Sequence, residues 1–239
     1  MSADEPAAGP RRSPPPWAAQ ALVVLRKDAT LELRSGEVLV TSGFFGFLVV
    51  VVASLAFYLG PETRGQVASG AIWLPIAFAT VLALGRLWQR ERDDGALDGL
   101  LLTPLLPSAL FAGKALGLAT FLVAIEALVI PVAALFFSLD LVTLGPGLVS
   151  IALAATPGIA ATGTLFGAMT ARTRARDLVL AVVLFPLLAP ALLTAVVATR
   201  ELCGGASVAE LSDYLTLLGI FDVVFVAGGL ALFGLLVDT

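Results

Sequence analysis

The chain has 239 residues, no histidine, one cysteine and few charges, which make up 13% of the total. Without histidine, imidazole acid–base chemistry is excluded. One cysteine, Cys203, excludes an internal disulfide and a Cys/His zinc site. Beside Gly204 and Gly205 it reads as a small loop residue without redox work. A phosphate-cradling P-loop is missing too. Its Gly-Lys pair would have to be Gly113-Lys114, but Ala115 follows where Ser or Thr is required. No nucleophile–base pair and no metal-ligand cluster stands out, so no catalytic residue and no metal ligand is assigned.

Apolar sequence is abundant. Hydrophobic residues make up 59% of the chain, and the mean hydropathy is +0.99. Six apolar stretches run over Val38–Leu59, Gly70–Leu87, Leu110–Phe137, Gly147–Met169, Leu178–Thr199 and Leu215–Val237. A helix of about 20 apolar residues crosses a bilayer core of about 30 Å. The expected fold class is therefore all-α: a polytopic membrane protein with six transmembrane helices plus an N-terminal amphipathic interfacial helix.

The basic residues are distributed unevenly. Arg11, Arg12, Arg26, Lys27 and Arg34 precede the first span. Arg86, Arg90, Arg92 and Lys114 lie between spans two and three, and Arg172, Arg174 and Arg176 between spans four and five. Only Arg64 and Arg200 fall on the opposite side. The positive-inside rule then predicts cytoplasmic N- and C-termini, as expected for a multi-pass protein of the bacterial inner membrane. Lys114, near a helix end, is expected to snorkel to the interface. The three arginines of the fourth–fifth connection read as topology determinants, with membrane lipids as neighbours. No nucleic-acid partner is expected.

Residues 1–16, rich in Pro and Ala, read as a disordered cytoplasmic tail. Pro14, Pro15 and Pro16 and the Arg26-Lys27-Asp28 triplet argue against a cleaved signal peptide. An interfacial helix is expected over 17–36, because Ala18, Ala21, Leu22, Leu25 and Ala29 fall on one helical face. Gly36 should end it. Trp73 and Trp88 bracket span two as an aromatic belt would. Pro75, Pro131, Pro157, Pro186 and Pro190 predict kinked or broken helices. Ser207 and Glu210 have capping-box spacing, which predicts a short helix or re-entrant segment before the last span. Residues 17–237 form one membrane domain, with the six spans within 38–237.

The connection after span two carries dense mixed charge, then Ala96, Leu97, Leu100 and Leu101 at helical spacing, and Pro104. That reads either as a short amphipathic segment suited to a partner surface or as a solvated connecting loop. The run Glu91-Arg92-Asp93-Asp94-Gly95-Ala96-Leu97-Asp98-Gly99-Leu100-Leu101-Leu102-Thr103-Pro104-Leu105, with Gly113-Lys114 after it, resembles the corresponding segment of permeases in the ABC-2 exporter superfamily. The element Arg26-Lys27-Asp28 to Glu37 narrows the resemblance to the CcmB-type haem exporter permeases of cytochrome c maturation. The resemblance covers about residues 17–237. The Pro-rich start and the Cys203-Gly-Gly loop stand outside it.

The resemblance implies an ABC-2-type permease domain that pairs with a second copy of itself and works with a separate ABC ATPase subunit and a haem-handling membrane subunit. Glu91, Arg92, Asp93, Asp94, Leu97, Leu100 and Leu101 would form the ATPase-coupling element. Haem would be a substrate of the complex, and no cofactor is expected on this chain itself. The rival expectations are a generic ABC-2 permease for a drug, lipid or polysaccharide, and a scaffold for the haem-handling subunit that transports nothing.

Two acids fall within spans, Glu126 and Asp222. A carboxylate near the bilayer centre costs at least ~2.5–3.5 kcal/mol on insertion scales, so both should face protein. Each reads either as a pathway or interface group, or as a protonated acid bonded to a neighbouring helix. Asp222 is expected to be the shallower of the two.

Overall fold

The computed structural model describes residues 15–56, 61–93, 105–170 and 176–237; within these, the side chains of 61–62, 88–93, 176–181 and 237 are not described. Seven helices follow one another: α1 (Trp17–Ser35), α2 (Glu37–Ala56), α3 (Pro61–Asp93), α4 (Pro107–Phe137), α5 (Leu141–Thr170), α6 (Arg176–Cys203) and α7 (Ser212–Val237). Helices α2 to α7 each contain a segment long and apolar enough to cross a membrane. The fold is the all-α, six-span one with an additional N-terminal helix.

Lipid and protein core are both apolar, so hydropathy alone does not say which helix is central. Small residues do. Helix α5 carries glycines at 145, 147, 158, 163 and 167, interspersed with alanines, and such positions let helix backbones approach. Two thirds of its span is buried (67%), as in α3, against 11% for α7. Helix α5 contacts α4, α6, α7 and α3, and α2 closes the bundle against α3 and α4. Gly46 marks that closure: a Cβ there would press on Val129 of α4 and Pro75 of α3.

Several expectations change. Helix α3 starts at Pro61, well before Gly70, because Pro at the first helical position followed by an acid starts a helix even in polar sequence. Trp73 therefore lies about 18 Å along the helix at 1.5 Å per residue. It is only 2% exposed, and its indole Nε1 donates to Thr199 Oγ1 of α6 at 2.9 Å. It is a core residue, so the belt reading fails for it; the Trp88 side chain is outside the described set. None of the five prolines breaks its helix.

The Ser207–Glu210 box closes as expected, with the Ser207 amide donating to Glu210 Oε2 at 2.6 Å. This holds the Glu210 carboxyl below its usual range. No separate helix follows: turns over 208–211 run straight into α7 at Ser212. At the α4–α5 corner, Ser138 adopts φ 56° and Asp140 caps α5. Asp140 accepts from the Thr143 hydroxyl at 2.6 Å and the Val142 amide at 3.0 Å, which lowers its pKa.

Candidate functional site

The polar groups of the bundle gather where α1 meets the rest of the chain. Helix α1 packs along the start of α4 through Gly113 and Gly117, one helical turn apart. A Cβ at Gly113 would strike the Ala21 carbonyl oxygen and Val24. This is the small-xxx-small arrangement that brings helix backbones together in membranes. The close approach sets which face of α1 turns inward: Gln20, Ala21, Val24 and Asp28. Of the expected face Ala18, Ala21, Leu22, Leu25 and Ala29, Ala21 is buried, Leu25 and Ala29 are half-buried, and Ala18 and Leu22 are exposed, Leu22 at 44%. Helix α1 therefore presents its polar inward positions to α4 and much of its apolar surface outward.

Between the two glycines stands Lys114, fully buried. It does not snorkel. Eight residues into α4, it lies about 10 Å from the helix start, and its Nζ meets Asp28 Oδ2 of α1 at 3.2 Å. Lys27 Nζ approaches Oδ1 of the same carboxylate at 3.5 Å. The sequence carried a signal for this pair: a lysine among apolar residues calls for an acid on a neighbouring helix, and Asp28 lies in the one charged helix nearby.

Two further clamps surround the pair. Gln20 Oε1 accepts from the Leu106 amide at 2.8 Å, and Trp17 Nε1 donates to Ser108 Oγ at 3.0 Å. Both fix the point where the chain re-enters the bundle as α4. On the other flank, Gly36 ends α1 with φ 60°, its amide returning to the Glu32 carbonyl. The Glu32 side chain then accepts from the Val38 and Leu39 amides at 3.1 and 3.0 Å, satisfying the open amides of α2's first turn. Glu37, at the start of α2, is salt-bridged to Arg86 of α3. The α1–α2 elbow thus holds α3 before it ends, and the start of α1 holds α4 as it begins, the two ends of the connection that carries the expected coupling residues. Glu91, Arg92 and Asp93 lie in the last turn of α3. Asp94, Leu97, Leu100 and Leu101 lie outside the described residues.

The intramembrane acids sit elsewhere, both against α5. Glu126 is 4% exposed, as expected for an acid facing the interior. Thr156 Oγ1 lies 2.7 Å from Glu126 Oε1 and 2.8 Å from the Ala152 carbonyl oxygen. Asp222 is deeper than expected, because α7 begins at Ser212 and places it about 15 Å along. It is half-buried against Gly158, where a Cβ would collide with its carboxyl and with the Phe221 ring. Thr156 and Gly158 flank Pro157, so acids from α4 and α7 meet one turn of α5.

Glu126→Gln is expected to keep the Thr156 contact, whereas Glu126→Leu loses it and leaves the Thr156 hydroxyl only the Ala152 carbonyl, at a cost of about 0.5–1.5 kcal/mol. Thermal melting of both variants in detergent checks this. Equal melting for Leu and wild type would mean that the contact contributes nothing. A Gln variant that melts normally yet abolishes function would move Glu126 from structure towards transport.

Six apolar helices around a small-residue core, with a charged joint at one face, define a polytopic helical membrane protein. Residues 19–234 match the family described as CcmB protein, and the chain belongs to that family. It is 31% identical over 186 residues to Heme exporter protein B of Bradyrhizobium diazoefficiens, covering 76% of this chain and 82% of the relative. It is 32% identical over 192 residues to Heme exporter protein B of Paracoccus denitrificans, covering 77% and 84%. The protein of the same name from Haemophilus influenzae is 29% identical over 176 residues, covering 73% and 78%.

Proposed function

We propose that this chain is the membrane-spanning permease subunit of an ABC-2-type complex serving haem export and cytochrome c maturation. The name its relatives share supports haem as the molecule concerned. ATP hydrolysis would take place on a separate subunit, since the sequence has no P-loop. Its energy would serve haem delivery or the release of a haem-loaded periplasmic chaperone. Residues 17–237 act as one permease domain in the bacterial inner membrane, with residues 1–16 as a tail and both termini cytoplasmic. A second copy and a haem-handling membrane subunit complete the assembly.

One observation carries the coupling part of this reading. Both ends of the 94–104 connection are held by the N-terminal part of the chain, the α3 end by Glu37–Arg86 at the α1–α2 elbow and the α4 end by Gln20–Leu106 and Trp17–Ser108 at the start of α1. A partner that pushes on this connection moves against α1, and α1 is tied to the bundle by the buried Asp28–Lys114 pair. Force is thereby passed to α4, the helix that carries Glu126.

Charge reversal at Glu91 and Asp94, or Leu97→Asp, is expected to weaken recovery of the ATPase with the tagged chain and to lower cytochrome c yield, while membrane insertion stays normal. Full ATPase recovery together with full cytochrome c maturation in all of these variants would exclude the coupling role.

A further inference from the structure

A cleft of about 290 Å³ opens beneath the elbow, between α1, α2, α3 and α4. Its floor is apolar, with Leu118, Phe121 and Leu87 among its walls, and it is not sealed, since Leu31 and Ala124 beside it are exposed. The charged lining residues are Lys27, Asp28, Glu32 and Arg86. The acids face inward and the cations outward. The Asp28 side chain is 7% exposed and held by Lys114 and Lys27. Glu32 Oε1 is engaged by the first amides of α2. Lys27 and Arg86, by contrast, expose 40% and 49% of their side chains. Glu37, the surface partner of Arg86, is itself 52% exposed and lies outside the cleft. An exposed ion pair of this kind contributes little and yields readily to a better anion.

An apolar trench with two exposed cations in its lining matches an amphiphile with an anionic head. The setting supplies one. The cleft lies beside the exposed Arg26, Lys27, Arg34 and Arg86, beneath a helix whose outward surface is apolar at Leu22, Val23 and Leu33. The volume is at the low end of the ~300–1,000 Å³ usual for ligand pockets, which suits a single acyl chain better than a broad planar ring. Among the described residues that line it there is no His, Cys, Met or Tyr, the usual axial ligands of a haem iron.

We propose that this cleft is a binding site for one anionic glycerophospholipid, with an acyl chain lying against Leu118 and Phe121 and its phosphate at Lys27 and Arg86. The lipid would complete the packing of α1 where Gly117 leaves room. It would also place an anion beside the Arg86–Glu37 clamp, so that headgroup charge bears on how firmly α3 is held.

The test is native mass spectrometry of the full tagged chain, delipidated in mild detergent and offered phosphatidylglycerol or phosphatidylcholine with identical acyl chains. One phosphatidylglycerol should be retained in preference to phosphatidylcholine, by on the order of tenfold for two basic side chains near the headgroup. The double variant Lys27→Gln with Arg86→Gln should lose that preference, and the conservative pair Lys27→Arg with Arg86→Lys should keep it. Ala124→Trp, which fills the trench from an exposed position, should lose the lipid while circular dichroism stays unchanged. Equal retention of the two lipids, or wild-type retention by Ala124→Trp, would overturn the proposal. So would a haem absorbance band in the purified chain that Ala124→Trp removes, because the occupant would then be haem.

Discussion

Asp28→Asn is expected to destabilise the folded chain by about 3–5 kcal/mol, the usual cost of removing one partner from a buried ion pair. Lys114 is fully buried, and the substitution deprives its ammonium of the Asp28 carboxylate. Lys114→Met should be milder, because Asp28 keeps Lys27 at 3.5 Å. The pair Asp28→Leu with Lys114→Met should recover much of the loss, as apolar replacement of both partners often does. Melting temperature and the yield of monodisperse protein in detergent measure all three. The order of effects is diagnostic: if Asp28→Asn melts with wild type, the pair does not hold α1, and the joint described above is not a mechanical link.

The second large effect is steric. Gly229 of α7 faces the Phe111 ring of α4 so closely that a Cβ would fall within the ring's van der Waals surface. Phe111 is 1% exposed and packs on Phe233 at a centroid distance of 5.5 Å, so it has nowhere to retreat. Gly229→Ala should cost ~1–3 kcal/mol by overpacking, and Gly229→Leu more. The neighbouring Gly228 meets nothing within 4 Å, and Gly228→Ala should be neutral or slightly stabilising. The two alanine variants differ by one position in one helix, so the melting-temperature gap isolates packing from helix propensity. Equal melting would mean that α7 shifts freely against α4.

Most of the architecture was legible in the sequence because hydropathy over about 20 residues is a strong signal for a spanning helix. The N-terminal helix was legible from the helical spacing of its apolar residues, and Gly36 ended it where a left-handed residue was needed. What could not be read was which way each helix faces. In a membrane both lipid and core select apolar residues, so the Ala18–Leu22–Leu25 stripe of α1 did not reveal its protein-facing side. Gly113 and Gly117, on a helix nearly ninety positions away, decided that. The same long-range pairing turned Lys114 from an expected snorkelling residue into a buried ion-pair partner. Trp73 was misplaced for a different reason, since the polar residues after Pro61 masked an early helix start. Glu126 was correctly expected inside, because the cost of a carboxylate in lipid is large enough to decide orientation without any partner being known.

The pairing of Asp28 with Lys114 across 86 residues also sets a sequence of events during synthesis. At translation rates of ~5–20 residues per second, Asp28 is made about 4 to 17 s before its partner. Through that interval the Asp28 carboxylate has Lys27 of its own helix as counter-charge but not Lys114, and the exposed Leu22, Val23 and Leu33 of α1 suit it to an apolar surface. The later arrival is the lysine, which would enter hydrocarbon at a cost of ~2.5–3.5 kcal/mol if it entered alone. Because the counter-charge precedes it, insertion of α4 and docking of α1 can be one event. A chain that loses its first 35 residues would therefore fail when its third span inserts, long after the missing part should have been made.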